Sequence, residues 1–74
     1  MKLGKYQHFK GSIVEVIGIA LDSETMEEVV VYIHPEPIKD MGANTMWVRP
    51  KKMFLEQVIV DDKEMPRFKF IESL

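Results

Sequence analysis

The sequence contains no cysteine. That absence removes disulfides, thiolate zinc sites and nucleophilic thiols together. Histidine occurs only twice, at His8 and His34, with no second ligand at helix or hairpin spacing. A zinc site would need further ligands brought in by folding, so neither a metal nor a cofactor is expected. The four glycines, Gly4, Gly11, Gly18 and Gly42, are scattered and form no phosphate cradle. No Gly-x-Ser-x-Gly elbow surrounds Ser12, Ser23 or Ser73, and no catalytic residue is assigned. Long apolar runs are missing too, against the roughly 20 residues that a membrane helix needs. The N-terminal stretch Met1-Lys2-Leu3-Gly4-Lys5-Tyr6 has charge but no apolar segment behind it, so no signal peptide is read and the cytoplasm is the expected location. Ten Lys+Arg stand against twelve Asp+Glu, for a net charge of −2. That balance makes nucleic acid an unfavoured partner, although Lys10, Arg49, Lys51 and Lys52 could still form a local basic patch.

What is present is β character. A chain of 74 residues, 46% hydrophobic and 30% charged, has a globular profile, and residues 1–74 are read as one domain. A domain of this size buries only about 60% of its unfolded surface, which leaves a narrow margin of stability. Ile13 to Leu21 reads Ile-Val-Glu-Val-Ile-Gly-Ile-Ala-Leu, too β-branched to favour a helix. Strict alternation puts Val14, Val16, Gly18 and Ala20 on one side and Ile13, Glu15, Ile17, Ile19 and Leu21 on the other. Both sides are largely apolar, so the strand is either covered twice or meets a second subunit, and a homo-oligomer is one reading. The polar link from Asp22 to Glu28 holds Asp, Ser and Thr side chains suited to bonding nearby amides. Val29 to Ile33 is then a second strand, hairpin-paired with the first.

His34 to Thr45, broken by Pro35, Pro37 and Gly42, is the longest irregular stretch. Met46 to Arg49 reads as a third strand, and Pro50 starts a helical turn over Lys51 to Phe54. Leu55 to Val60 resumes strand character, and Asp61 to Glu64 turns the chain. Met65 to Ile71 reads as the fifth strand, with Phe68 and Phe70 on one face and Arg67, Lys69 and Ile71 on the other. The fold class that follows is all-β, a small barrel or roll of about five strands with a short helical turn after the third.

Several spaced residues form one ordered pattern along the chain. They begin with Tyr6-x-His8-Phe9-Lys10-Gly11 and Val16-x-Gly18-x-Ala20, followed by Ser23-Glu24-Thr25-x-Glu27 and Tyr32. The most specific block is Trp47-Val48-Arg49-Pro50-x-x-Met53-Phe54-x-Glu56-x-Val58, and Pro66-Arg67-Phe68 closes the pattern. This ordered set, from Tyr6 to about Ile71, resembles a bacterial family, domain of unknown function sixteen fifty-three, a resemblance that implies an SH3-like barrel without implying an activity. The sequence departs from that pattern at Asp22, where members often carry histidine. It also has a longer His34 to Thr45 segment, and Asp62 stands at a turn position where glycine is common.

The constellation that carries most chemistry is Trp47 and Arg49, two apart on one strand and so on one face. An aromatic surface beside a guanidinium can stack on a base, an aromatic ligand or a peptide side chain. The plainer reading makes Trp47 a core residue and pairs Arg49 with Glu24 or another acid, since so small a core needs its only tryptophan. The functional expectation is a non-enzymatic binding module with a groove formed by Trp47, Arg49, Tyr6, His8 and Glu24. Its partner would be a peptide, a protein or a nucleotide-like small molecule. One alternative is an RNA- or DNA-binding accessory domain. Another is a small hydrolase-like enzyme in which His8 and Glu24 act as an acid–base pair.

Overall fold

β-Branched residues concentrate in the two longest strands, Ile13–Leu21 and Glu28–His34, which are neighbours within the main sheet. The computed structural model describes residues 1–73. In chain order its strands are β1 (Gly4–His8), β2 (Ile13–Leu21), β3 (Glu28–His34), β4 (Thr45–Pro50), β5 (Gln57–Val60), β6 (Lys63–Pro66) and β7 (Phe68–Glu72). A four-residue helix, α1 (Lys51–Phe54), follows β4, and a single 3₁₀ turn (Lys39–Met41) lies between β3 and β4. The main sheet is antiparallel with five strands in the order β4-β3-β2-β1-β7, and β5 and β6 pair separately as a hairpin. The protein is therefore all-β and shaped as a roll. Its two edge strands, β4 and β7, are not hydrogen-bonded to each other, so the barrel is not closed.

Two elements depart from the strands expected from sequence. β1 is an additional strand, and the segment expected as one strand from Met65 to Ile71 is split between β6 and β7, which belong to different sheets. The split falls at Pro66-Arg67, where the Arg67 amide donates to the Glu56 carbonyl and the Arg67 carbonyl accepts from Phe9. Those bonds turn the chain out of one sheet and into the other. The expected helical turn over Lys51 to Phe54 is present, with Pro50 as its N-cap.

The alternation expected in β2 is corrected by a bulge. The register runs Val16 opposite Tyr32, then skips Ile17 and pairs Gly18 with Val31 and Ile19 with Val30. One extra residue exchanges the two faces of the strand beyond it. Ile19 thus joins Val14 and Val16 on the inner face, while Gly18 and Ala20 go outward. The inner face consists of cross-strand rows. Val14, Tyr6 and Phe70 form one, Val16, Tyr32 and Trp47 the next, and Ile19, Val30 and Arg49 the third. Opposite residues on antiparallel strands point the same way, so each row is one layer of the concave side. The outer face over β3 and β4 is apolar as well, with Val31 opposite Val48 and Ile33 opposite Met46, and both β4 residues are exposed.

The core comprises Tyr6, Val14, Val16, Val30, Tyr32, Phe54 and Phe68. Phe54 is the plug. The helix α1 carries it into the roll, where its ring stacks on Phe68 at a centroid separation of 4.1 Å and meets Tyr6 edge-on at 5.4 Å. Removing a buried phenylalanine costs about 3–5 kcal/mol, a large part of the stability of so small a domain. The Tyr6 hydroxyl donates to the Lys2 carbonyl, which satisfies the one polar atom this ring brings into the core.

Candidate functional site

Beyond the core rows, the concave side opens into two adjoining hollows. One has a volume of about 240 Å³ and is walled by His8, Lys10, Ser12, Tyr32, Arg49 and Phe68, among others. The other, about 190 Å³, lies between Tyr32, His34, Ile38, Trp47 and Arg49. Tyr32, His34 and Arg49 belong to both, so the two form one groove. Period two explains the grouping on each strand. Tyr32 and His34 share a face of β3, and Trp47 and Arg49 share the facing side of β4. Ile38 arrives from the β3–β4 loop, whose backbone is pinned by Asn44 donating to Pro35, Ile38 to Gly42 and Met41 to Ile38.

Trp47 is both wall and core. Its ring is half-buried and packs against the buried cluster, while the same side chain lines the groove. The indole nitrogen donates to the Thr45 hydroxyl at 2.6 Å, which fixes the ring's orientation. The Arg49 guanidinium lies 5.7 Å from the centre of the Phe68 ring. His8 meets Phe68 edge-on at 4.9 Å.

The charge in the groove is all of one sign. Among the described residues no aspartate or glutamate lines either hollow and the ion pairs are Lys5–Glu72 and Lys51–Glu28, so none of their acids pairs with Arg49. Nearby Arg67 has its Nε buried with no hydrogen-bond partner. Burial holds the His8 imidazole below its ordinary pKa, helped by the positive charges of Arg49, Arg67 and Lys10. The Lys10 amide also donates to His8 Nδ1 at 3.1 Å. That bond leaves the proton of the neutral ring on Nε2.

Of the five residues expected in the groove, the fold brings together His8, Trp47 and Arg49. Tyr6 is in the core, 5% exposed, under the groove floor. Glu24 sits in the β2–β3 turn, where the Asp22 carboxylate accepts the amides of Glu24 and Thr25. The nine residues of β2 separate that turn from His8 along the chain, and Glu24 lines neither hollow. Among the described residues no ion pair joins Glu24 to His8 or to Arg49, so neither pairing expected from the sequence is formed. Sequence reading overlooked His34, taken as a loop residue, and the signal that could have found it is its spacing of two from Tyr32. It also gave no role to Ser12, Ile38 or Phe68, which only the curl of the sheet brings to the groove.

Among the described residues no helix is long and apolar enough to cross a membrane. The profile of one family, described as protein of unknown function DUF1653, matches residues 4–70. A crystal structure of a DUF1653 protein from Bordetella bronchiseptica superposes with a TM-score of 0.83 at 28% identity, covering 100% of this chain and 91% of that one. No curated protein matches the chain. A profile that spans nearly the whole sequence, together with a shared fold over its full length, places the chain in the DUF1653 family.

Proposed function

We propose that the protein is a non-enzymatic binding module that takes its ligand in the concave groove between Trp47, Arg49, His34 and His8. The observation that carries this reading is the unpaired guanidinium of Arg49 beside the half-buried indole of Trp47, at the junction of the two hollows. A buried or half-buried cation without an acid is poised for an acceptor supplied from outside. Catalysis has less support, because Glu24 lies in the β2–β3 turn, lines neither hollow and makes no ion pair with His8.

Chemical-shift mapping of ¹⁵N-labelled protein against a fragment set of small acids, nucleosides and short peptides tests this. Perturbations should cluster at Trp47, Arg49, His34 and His8, and the bound fragments should be recovered unchanged. Perturbations confined to other surfaces, or turnover of a bound fragment, would overturn the reading.

A further inference from the structure

Resting on the groove as binding site, we infer that its ligand joins a phosphate to a flat ring, as a mononucleotide does, with the phosphate on Lys10 and Arg49 and the ring against Trp47. The two hollows differ in chemistry in a way that divides such a molecule. The larger one presents Lys10, Arg49, the Ser12 hydroxyl and His8, whose Nδ1 is already occupied by the Lys10 amide so that Nε2 carries the donor proton. Every one of these groups can donate, and none is an acid. The smaller one is walled by Trp47, Tyr32, Ile38 and His34, two aromatic rings, an imidazole and an aliphatic side chain, with Arg49 shared between the two hollows. Together the two hollows have the volume of a site for a small molecule rather than for a single ion.

Charge decides between a carboxylate and a phosphate. Lys10 and Arg49 face the larger hollow, and Arg67 stands close enough to bear electrostatically on His8. A carboxylate brings one negative charge and would leave this cluster in excess. A phosphate monoester brings about −1.5 to −2 and three strong acceptor oxygens, which matches the donors present. The chain as a whole carries net charge −2, so the positive lining of the groove does not follow from the overall charge.

The test is a set of NMR titrations at low ionic strength with adenosine 5′-monophosphate, adenosine and inorganic phosphate. The monophosphate should bind at least about tenfold more tightly than either part alone, because it engages both hollows. It should shift the Trp47 indole and Lys10 amide signals together. Lys10→Gln, at an exposed position, should weaken the monophosphate about tenfold and leave adenosine nearly unchanged, and Arg49→Gln should weaken the monophosphate at least as much. A monophosphate no tighter than adenosine, or indifferent to Lys10→Gln, would overturn the inference while neutral fragments in the groove still support the binding module. If no compound of any charge perturbs the groove, the binding reading falls and the inference with it.

Discussion

Arg49, on one edge strand of the main sheet, lays its guanidinium over the ring of Phe68 on the other edge strand, 5.7 Å from its centre. Side chains, not backbone hydrogen bonds, thus bridge the mouth of the roll. The other side of this relationship is the core, where Phe68 stacks on Phe54 at an interplanar angle of 2°. One ring therefore belongs to the floor of the groove and to the packing that holds the domain together. Replacing the planar guanidinium with an ammonium keeps the charge and loses the stacking geometry. Arg49→Lys should accordingly lower stability by about 0.5–1 kcal/mol in urea titrations. An unchanged midpoint would show that the two edges do not depend on this contact.

Gly4 closes the other side of the sheet. Its φ is +143°, and a Cβ there would collide with the backbone of Glu72 and Ser73. The register between β1 and β7 shifts just beyond, between Lys5 and Tyr6. Gly4→Ala should cost about 1–3 kcal/mol from the backbone conformation alone, before the collision is counted. For a domain of this length that means a fall in Tm of at least about 4 °C, measurable by thermal circular dichroism. Gly11 makes an internal control. It also has positive φ, at +109°, but a Cβ there meets no atom within 4 Å. The alanine variant at Gly11 should therefore lose less.

The same contrast explains what was legible in the sequence. Period-two patterning exposed β3, β4 and the Phe68–Phe70 face, because each alternates or is plainly branched. It also put Trp47 and Arg49 on one side. β1 was not legible because Gly4-Lys5-Tyr6-Gln7-His8 contains a single large apolar residue, and its strand state comes from being paired on both sides. The bulge at Ile17 was not legible either, since all of Ile17, Gly18 and Ile19 suit either face. Its position is set by the partner strand, which brings Val30 opposite Ile19. The groove was half legible for the same reason. Neighbours on one strand can be read from spacing, whereas Phe68, Ser12 and Ile38 meet Arg49 or Trp47 only through tertiary curvature.

The turn between β5 and β6, which the sequence exposed, carries a backbone cost. Asp61 and Asp62 join β5 to β6 as a two-residue turn, with φ of 51° and 64°. Both are left-handed, the geometry of the tight turn that favours glycine at its second central position. Aspartate tolerates this conformation at some cost. Asp62→Gly should therefore stabilise the protein by up to about 1 kcal/mol, raising the urea midpoint with an unchanged slope. Asp62→Val, with a branched side chain in the same conformation, should do the reverse. A destabilised glycine variant would mean that the Asp62 side chain contributes something its backbone angle does not reveal.

The pH response follows from His8. Its folded-state pKa lies below the ordinary value of 6.5, through burial first and then the charges of Arg49, Arg67 and Lys10. In the interval between the two values the unfolded chain binds more protons than the folded one, so stability rises with pH across it. The His8 contribution is fully present above about pH 6.5 and is lost as the pH falls through the folded value. The Lys10 amide bond to Nδ1 works in the same direction, because protonating that nitrogen breaks it. Urea titrations between pH 5 and 8 should show the wild type losing stability on the acid side of this window, and His8→Gln should flatten that part of the profile. The NMR titration of His8 should give a midpoint below 6.5, moving upward when inorganic phosphate or adenosine monophosphate fills the groove, since a bound anion offsets the surrounding positive charge. A midpoint at or above 6.5 in the free protein would contradict the burial and charge that the fold imposes on this ring.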